Sequence, residues 1–297
     1  MHIPRVHEDR RPLTWRSVGC ARRLTQSPYS LFGIRKEAVT TQEVFTSCRS
    51  GVAQVSLEVG GEVLTAGTAF LVPGGLMTNS HVLRDVGFDV AVLRFEEMDY
   101  GAGIRLARDI CLQAVAYDSP SNEHDVAFLR LDEPEFAGRH VFSFGDSDSL
   151  AVGDQVAFLG YPFRMQHLTC HVGYVSSLHQ RAKVDVIQID ASVNGGNSGG
   201  PLVELRSGSV VGIISRAEVG FLADQFDAMI QVLGQNIDQL NQPTGARVVI
   251  AGVDPVQGLR ASQTAMREIA VNLRRSANVG IGYAFGSNHV RDRLAQQ

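Results

Sequence analysis

Ser198 stands in the run Asn194-Gly195-Gly196-Asn197-Ser198-Gly199-Gly200-Pro201-Leu202, a serine set among glycines. Backbone without Cβ atoms can crowd a reacting carbonyl and turn successive N–H groups toward one point. The N–H groups of Gly196 and Ser198 are the candidates to hold the negative charge on a carbonyl oxygen under attack. Each such donor is typically worth about 3–4 kcal/mol in the transition state. A serine hydroxyl needs a base to take its proton, and the base needs a third group to fix its tautomer. His81, in Met77-Thr78-Asn79-Ser80-His81-Val82, is the candidate base. Asp125 opens the apolar stretch Val126-Ala127-Phe128-Leu129 and is the candidate acid. Asp85, Asp109 and Asp118 are rival carboxylates, but none opens an apolar strand as cleanly.

The letters Gly196 to Gly200 also spell G-x-S-x-G, the elbow of α/β-hydrolases. That elbow must pass straight from strand into helix, with acid and histidine later in the chain. Here Pro201 to Leu205, the turn Arg206-Ser207-Gly208 and the run Ser209 to Ile214 read as a hairpin instead. The order His81, Asp125, Ser198 and the flanks of each resemble the chymotrypsin-fold serine proteases, closest to the high-temperature-requirement (Deg-type) branch. Val152-Gly153-Asp154-Gln155-Val156, Gly160-Tyr161-Pro162-Phe163, Gly173-Tyr174-Val175-Ser176 and Ile187-Gln188-Ile189-Asp190-Ala191 add to the likeness. It covers about 50–216 and resumes near 279.

The resemblance implies a mainly β protein with two six-stranded barrels, His81 and Asp125 from the first and Ser198 from the second. It implies protein or peptide substrates and no cofactor. It also assigns substrate contacts. Ser192, six residues before Ser198, corresponds to the floor of the primary pocket, and Ser215-Arg216-Ala217 to the segment that pairs with substrate backbone. A neutral floor suits small or medium apolar side chains; Asp190 and Glu218 are the nearby acids that could alter this. Asn197 stands where zymogen-type relatives have an aspartate, so pairing with a new N-terminal ammonium is not expected.

The chain has 297 residues, 44% of them hydrophobic, and a formal charge of −4 with pI near 6.1. Nothing in that balance suggests a nucleic acid or an anionic membrane. No apolar run approaches the ~20 residues of a membrane span. Arginine-rich Met1 to Arg23 lacks the apolar core of a secretory signal. Cys20, Cys48, Cys111 and Cys170 are widely spaced, and reduced thiols point to a cytoplasmic protein. His167 and His171 are i, i+4, but in an extended strand that spacing spans about 13 Å, too far for one metal ion.

The elements that must position these residues are short. Residues 1–42 read as a basic extension broken by Pro4, Pro12 and Pro28. Strands are expected at 52–59, 62–72, 75–78, 88–95, 104–117, 125–131, 154–160, 168–178, 184–190, 201–206 and 209–215. The period then changes. Leu222, Phe226, Met229, Ile230, Leu233, Ile237 and Leu240 mark one helix over 221–240. A strand-like run, Val248 to Ala251, precedes a second helix opened by Asp254-Pro255 and running to about Arg275. Val279 to Phe285 reads as the last barrel strand, and Ser287 as the cap of a short helix to about Leu294. The expected organisation is a peptidase domain over 43–216 and 279–297, with a mainly helical insertion 217–278 beside the specificity pocket. Length leaves no room for the PDZ module that usually follows such a domain. The insertion and the extension are the expected seats of an activating partner or a homo-oligomer. The expected function is serine endopeptidase; the alternative is a proteolytically silent scaffold of the same fold.

Overall fold

The computed structural model describes residues 39–84, 86–99, 101–181, 183–215, 221–242, 254–276 and 280–295. Among the 1–42 positions, only the last few fall inside it. There Thr40 and Glu43 form a reciprocal capping box that starts α1 (Thr41–Cys48), and Val44 and Cys48 turn inward.

Seven strands follow: β1 (Val52–Val59), β2 (Glu62–Val72), β3 (Gly75–Thr78), β4 (Val90–Phe95), β5 (Ile104–Ala107), β6 (Val115–Ser119) and β7 (Val126–Leu129). A short helix α2 (Ser80–Arg84) lies between β3 and β4, and α3 (Arg108–Gln113) between β5 and β6. The strands form one antiparallel sheet in the order β5-β4-β1-β2-β3-β7-β6. This half differs from the expected six-stranded barrel in detail: it is an open, seven-stranded half-barrel. Part of the difference is local. The expected strand 104–117 alternates buried and exposed only over 104–107, and the chain then coils into α3 and buries Cys111.

The second half is a closed barrel, as expected. Its strands are β8 (Gln155–Gly160), β9 (Thr169–Arg181), β10 (Val184–Ile189), β11 (Pro201–Glu204), β12 (Ser209–Ser215) and β13 (Gly282–Gly286), in the order β10-β13-β12-β11-β8-β9. Helices α4 (Phe221–Asn241) and α5 (Pro255–Ser276) intervene between β12 and β13, and α6 (Asn288–Leu294) ends the fold. The expected strand at Val248 to Ala251 and the start of the last strand at Val279 lie outside the described residues. Asp254 caps α5 as its sequence suggests, accepting from the N–H groups of Val256 and Gln257. Ser287 precedes α6, but its hydroxyl donates to the Val210 carbonyl and does not cap the helix.

Alternation along the strands divides the core. Ala53, Val55 and Leu57 face a core inside the sheet, with Leu71, Ala91 and Leu93. Phe70, Val72, Met77, Val126 and Phe128 face the other way and share a core with Ala157, Leu159, Tyr161 and Val203 of the barrel. Sheet and barrel are thus packed on common apolar ground, and the candidate residues lie where they meet.

Candidate active site

His81 sits on α2, just after the Asn79–Ser80 joint that follows β3, and is 8% exposed. Asp125, immediately before β7, is 3% exposed and adopts a left-handed φ of 48°. Aspartate tolerates that region better than most residues. Its carboxylate is held from three sides. His81 Nδ1 lies 2.6 Å from Oδ2, the His81 backbone N–H donates to Oδ1 at 3.0 Å, and the Ser215 hydroxyl donates to Oδ2 at 2.8 Å. The Asn79 side-chain amide donates to the Asp125 carbonyl at 2.7 Å. A carboxylate at Nδ1 favours the tautomer with its proton there, which leaves Nε2 as the basic nitrogen. The rival acids are elsewhere: Asp118 pairs with Arg84 at 2.6 Å, Asp109 is exposed in the first turn of α3, and Asp85 lies outside the described residues.

The Ser198 turn is pinned against the sheet. The Ser198 carbonyl accepts from the Thr68 N–H at 2.8 Å, and the Gly196 carbonyl accepts from Thr68 Oγ1 at 2.6 Å. At Gly199 the need for glycine is steric: its φ is +87°, and a Cβ there would stand 2.1 Å from the Thr68 carbonyl oxygen and 2.4 Å from Thr78 Oγ1. Only glycine lets β2, β3 and this turn close up. Gly196 has φ +103°, and a Cβ on it would meet the Tyr161 carbonyl at 2.1 Å. Among the described residues, the N–H groups of Gly196 and Ser198 make no hydrogen bond. Those are the two donors singled out for an oxyanion. Ser198 Oγ likewise makes no hydrogen bond among the described residues, to His81 or otherwise. In unliganded sites such contacts are often long and tighten with substrate.

Ser192 is half-buried at the end of the run leading from β10. Asp190 does not reach toward it as a pocket acid; its Oδ1 accepts the Tyr174 N–H. Ser215 ends β12 as a buried residue, but its hydroxyl is committed to Asp125, a contact that sequence reasoning missed. Arg216, Ala217 and Glu218 lie outside the described residues. Asn79, Thr68 and Thr78 were also missed. For Thr68 and Thr78 the signal was present, since a polar residue at a buried position of an apolar strand must be hydrogen-bonded, whereas Asn79 lies just past the end of β3.

Residues 67–213 match the family model of the trypsin-like peptidase domain. The chain carries a trypsin-like peptidase domain of the Deg type. It is 33% identical over 184 residues to a "Probable periplasmic serine endoprotease DegP-like" of Chlamydia pneumoniae, covering 59% of this chain and 34% of that protein. It is 32% identical over 183 residues to a protein of the same name from Halomonas elongata, covering 59% of this chain and 35% of that one. The chain therefore spans about a third of the length of these curated relatives. The fold is that of the HtrA-type protease AlgW solved with a tripeptide: the TM-score is 0.52 at 21% identity, over 86% of this chain and 62% of the other.

The peptidase-domain relatives overturn the cytoplasmic expectation, since several are named periplasmic endoproteases. The thiols that suggested it carry no such information. Cys48 and Cys111 are buried in different cores, and Cys48, Cys111 and Cys170 are all free. No described helix is long and apolar enough to cross a membrane.

Proposed function

We propose that the chain is a serine endopeptidase that cleaves protein or peptide substrates, with Ser198 as nucleophile, His81 as general base and then acid, and Asp125 as the group that orients His81. The observation that carries this reading is the 2.6 Å contact of His81 Nδ1 with a carboxylate that accepts two further hydrogen bonds. In the first step Ser198 Oγ attacks the carbonyl carbon and its proton moves to His81 Nε2. The N–H groups of Gly196 and Ser198 receive the oxyanion. Collapse expels the amine with the proton from His81, and water then hydrolyses the acyl-enzyme by the same route. No step calls for a cofactor. The peptidase unit runs over 43–216 and 279–297, with 217–278 inserted beside the pocket.

A fluorophosphonate probe tests the reading. Labelling of the wild type and not of Ser198→Ala is expected. Absence of labelling under every condition tried would favour the silent scaffold.

The pocket is read as neutral, with Ser192 at its floor and Asp190 engaged by the Tyr174 backbone. Burying an unpaired lysine or arginine there would cost several kcal/mol, so we expect cleavage after small or medium apolar residues. Consistent cleavage after arginine or lysine in a peptide library would show that reading to be wrong.

Regulation is proposed to act on the turn 195–197. Both polar side-chain atoms of Asn197 are buried without a hydrogen-bond partner among the described residues. The Gly195 carbonyl is held by the Phe163 N–H at 2.7 Å, in a loop where Phe163 and Arg164 both have left-handed φ. A turn with an unsatisfied buried amide, leaning on a strained loop, is suited to a second arrangement that a ligand or partner can favour.

A further inference from the structure

The two long helices take no part in the chemistry above. They form an antiparallel hairpin in which Asn236 Nδ2 donates to Gln263 Oε1 at 3.4 Å and Arg260 Nη2 donates to the Leu240 carbonyl at 2.8 Å. Leu233 of α4 and Ala270 of α5 are buried and mark the seam between the helices. Beside that seam, large apolar side chains stay in water. Met229, Val232, Met266, Ile269 and Leu273 are 45–57% exposed.

Their spacing puts them on one face. In an antiparallel pair, residues at equal offsets from the seam turn to the same side. Val232 precedes Leu233 by one position, and Ile269 precedes Ala270 by one. Met229 and Met266 each precede their seam residue by four, and Leu273 follows by three, one turn along. The remaining residues of this flank, including Gln225, Gln239 and Ser262, are uncharged. Asp227, Asp238, Arg260 and Arg267 belong to the opposite flank. The hairpin is therefore a slab with one neutral apolar face and one charged face.

We propose that the apolar face docks on the same face of a second copy of this chain, two hairpins closing about a twofold axis into a four-helix bundle. A face without Lys or Arg along its rim is ill suited to an anionic lipid surface, and one without any charge gives a charged partner nothing to pair with. A copy presents the identical neutral surface, and isologous docking buries both at once. The size falls at the lower end of what a stable interface buries. Helices of 21 and 22 residues lie side by side. Each is about 30 Å long and about 10 Å wide, giving a face on the order of 600 Å², against about 800 Å² per partner in a standard interface. Two helices cannot enclose an apolar interior, whereas four can. The inference does not depend on the catalytic reading, because no residue of the hairpin belongs to the proposed triad.

Light scattering on the full chain at micromolar concentration tests it. The expected mass is that of two 32.2 kDa chains. Val232→Glu and Ile269→Glu each bring like carboxylates together across the axis and should weaken association at least about 100-fold, giving monomer. Asp238→Ser, on the charged flank, should leave the dimer intact. Should the glutamate variants unfold by circular dichroism, Ile269→Cys with a mild oxidant replaces them, and a disulfide-linked dimer is expected. A monomeric wild type, an oligomer that survives both glutamate substitutions, or no cross-link through Ile269→Cys would overturn the proposal.

Discussion

In the proposed triad, Asp125 is the position that carries the most hydrogen bonds. Its carboxylate accepts from the His81 backbone, the His81 ring and the Ser215 hydroxyl, and its carbonyl accepts from Asn79. An amide in place of the carboxylate keeps the shape and alters the protons. Asp125→Asn would present either an N–H to the His81 ring or an oxygen that cannot stabilise the imidazolium. Turnover should fall on the order of 10⁴-fold with the fold retained. A fall of less than tenfold on a good substrate, measured by steady-state hydrolysis, would assign the role to another group. His81, Asp125 and Ser198 were legible in the sequence as candidates because each stands in a motif that chemistry restricts, and the structure joins the first two. The supporting hydroxyl of Ser215 was not. A serine at the end of a strand has several uses. Only the folded register, with Ser215 opposite Tyr283 where β12 pairs with β13, fixes which one applies.

At the scale of elements, the ends of the strands and helices decide what local reading can reach. The α4 and α5 periodicities and the Asp254 cap were visible because a helix repeats its face every turn. The break at α3 was hidden, since Ile104 to Val115 carries enough β-branched and apolar residues to read as one strand. Helix α6 gives a further consequence. It carries His289, whose ring stacks on His124 with centroids 3.7 Å apart and planes 9° from parallel, and whose Nε2 lies 2.5 Å from the Tyr117 hydroxyl. Burial lowers both histidine pKa values below the usual 6.5. The charge of His289 lowers that of His124 further, and Arg293 lowers that of His289. Glu123, Asp185 and Asp292 oppose these effects without cancelling them. A histidine whose folded pKa is depressed stays neutral in the native state while the unfolded chain takes up a proton. Its stabilising contribution is therefore present above the unfolded pKa and is lost as pH falls from there through the folded one. Thermal unfolding followed from about pH 7.5 to about pH 5.5 should show the melting temperature falling. His289→Gln, which can still bond Tyr117, should flatten that fall. His140 and His171, also depressed by burial, keep it from vanishing. An unchanged slope in the variant would mean that the stacked pair does not contribute.

For the whole molecule, the question is how an open sheet and a closed barrel hold three residues in register. The shared core supplies adhesion, but apolar packing has no direction. Direction comes from hydrogen bonds between the halves, such as those of Gln54 to the Met165 carbonyl and Arg94 to the Gln166 carbonyl, and at the Ser198 turn it comes from Thr68, a fully buried polar residue in β2. Its hydroxyl donates to the Gly196 carbonyl at 2.6 Å and accepts from the Tyr161 N–H at 3.1 Å. Its backbone N–H donates to the Ser198 carbonyl at 2.8 Å, and its own carbonyl accepts from Thr78 Oγ1 at 2.7 Å. One residue of the sheet thus grips two loops of the barrel and the strand that leads to His81. Thr68→Val keeps the shape and the backbone bonds while removing both hydroxyl bonds. Each buried partner left unpaired costs about 1–3 kcal/mol, so the melting temperature should drop by several degrees. The Gly196 peptide also loses the bond that fixes its orientation beside Ser198. Misplacement on the ångström scale typically costs about 10²-fold in rate, and that loss is expected in turnover more than in KM. Thr68→Ser restores the hydroxyl and should recover most of the activity. If Thr68→Val hydrolyses a peptide at the wild-type rate, the Thr68 hydroxyl does not position the proposed oxyanion turn, and the backbone bond from Thr68 to the Ser198 carbonyl suffices on the side of the sheet.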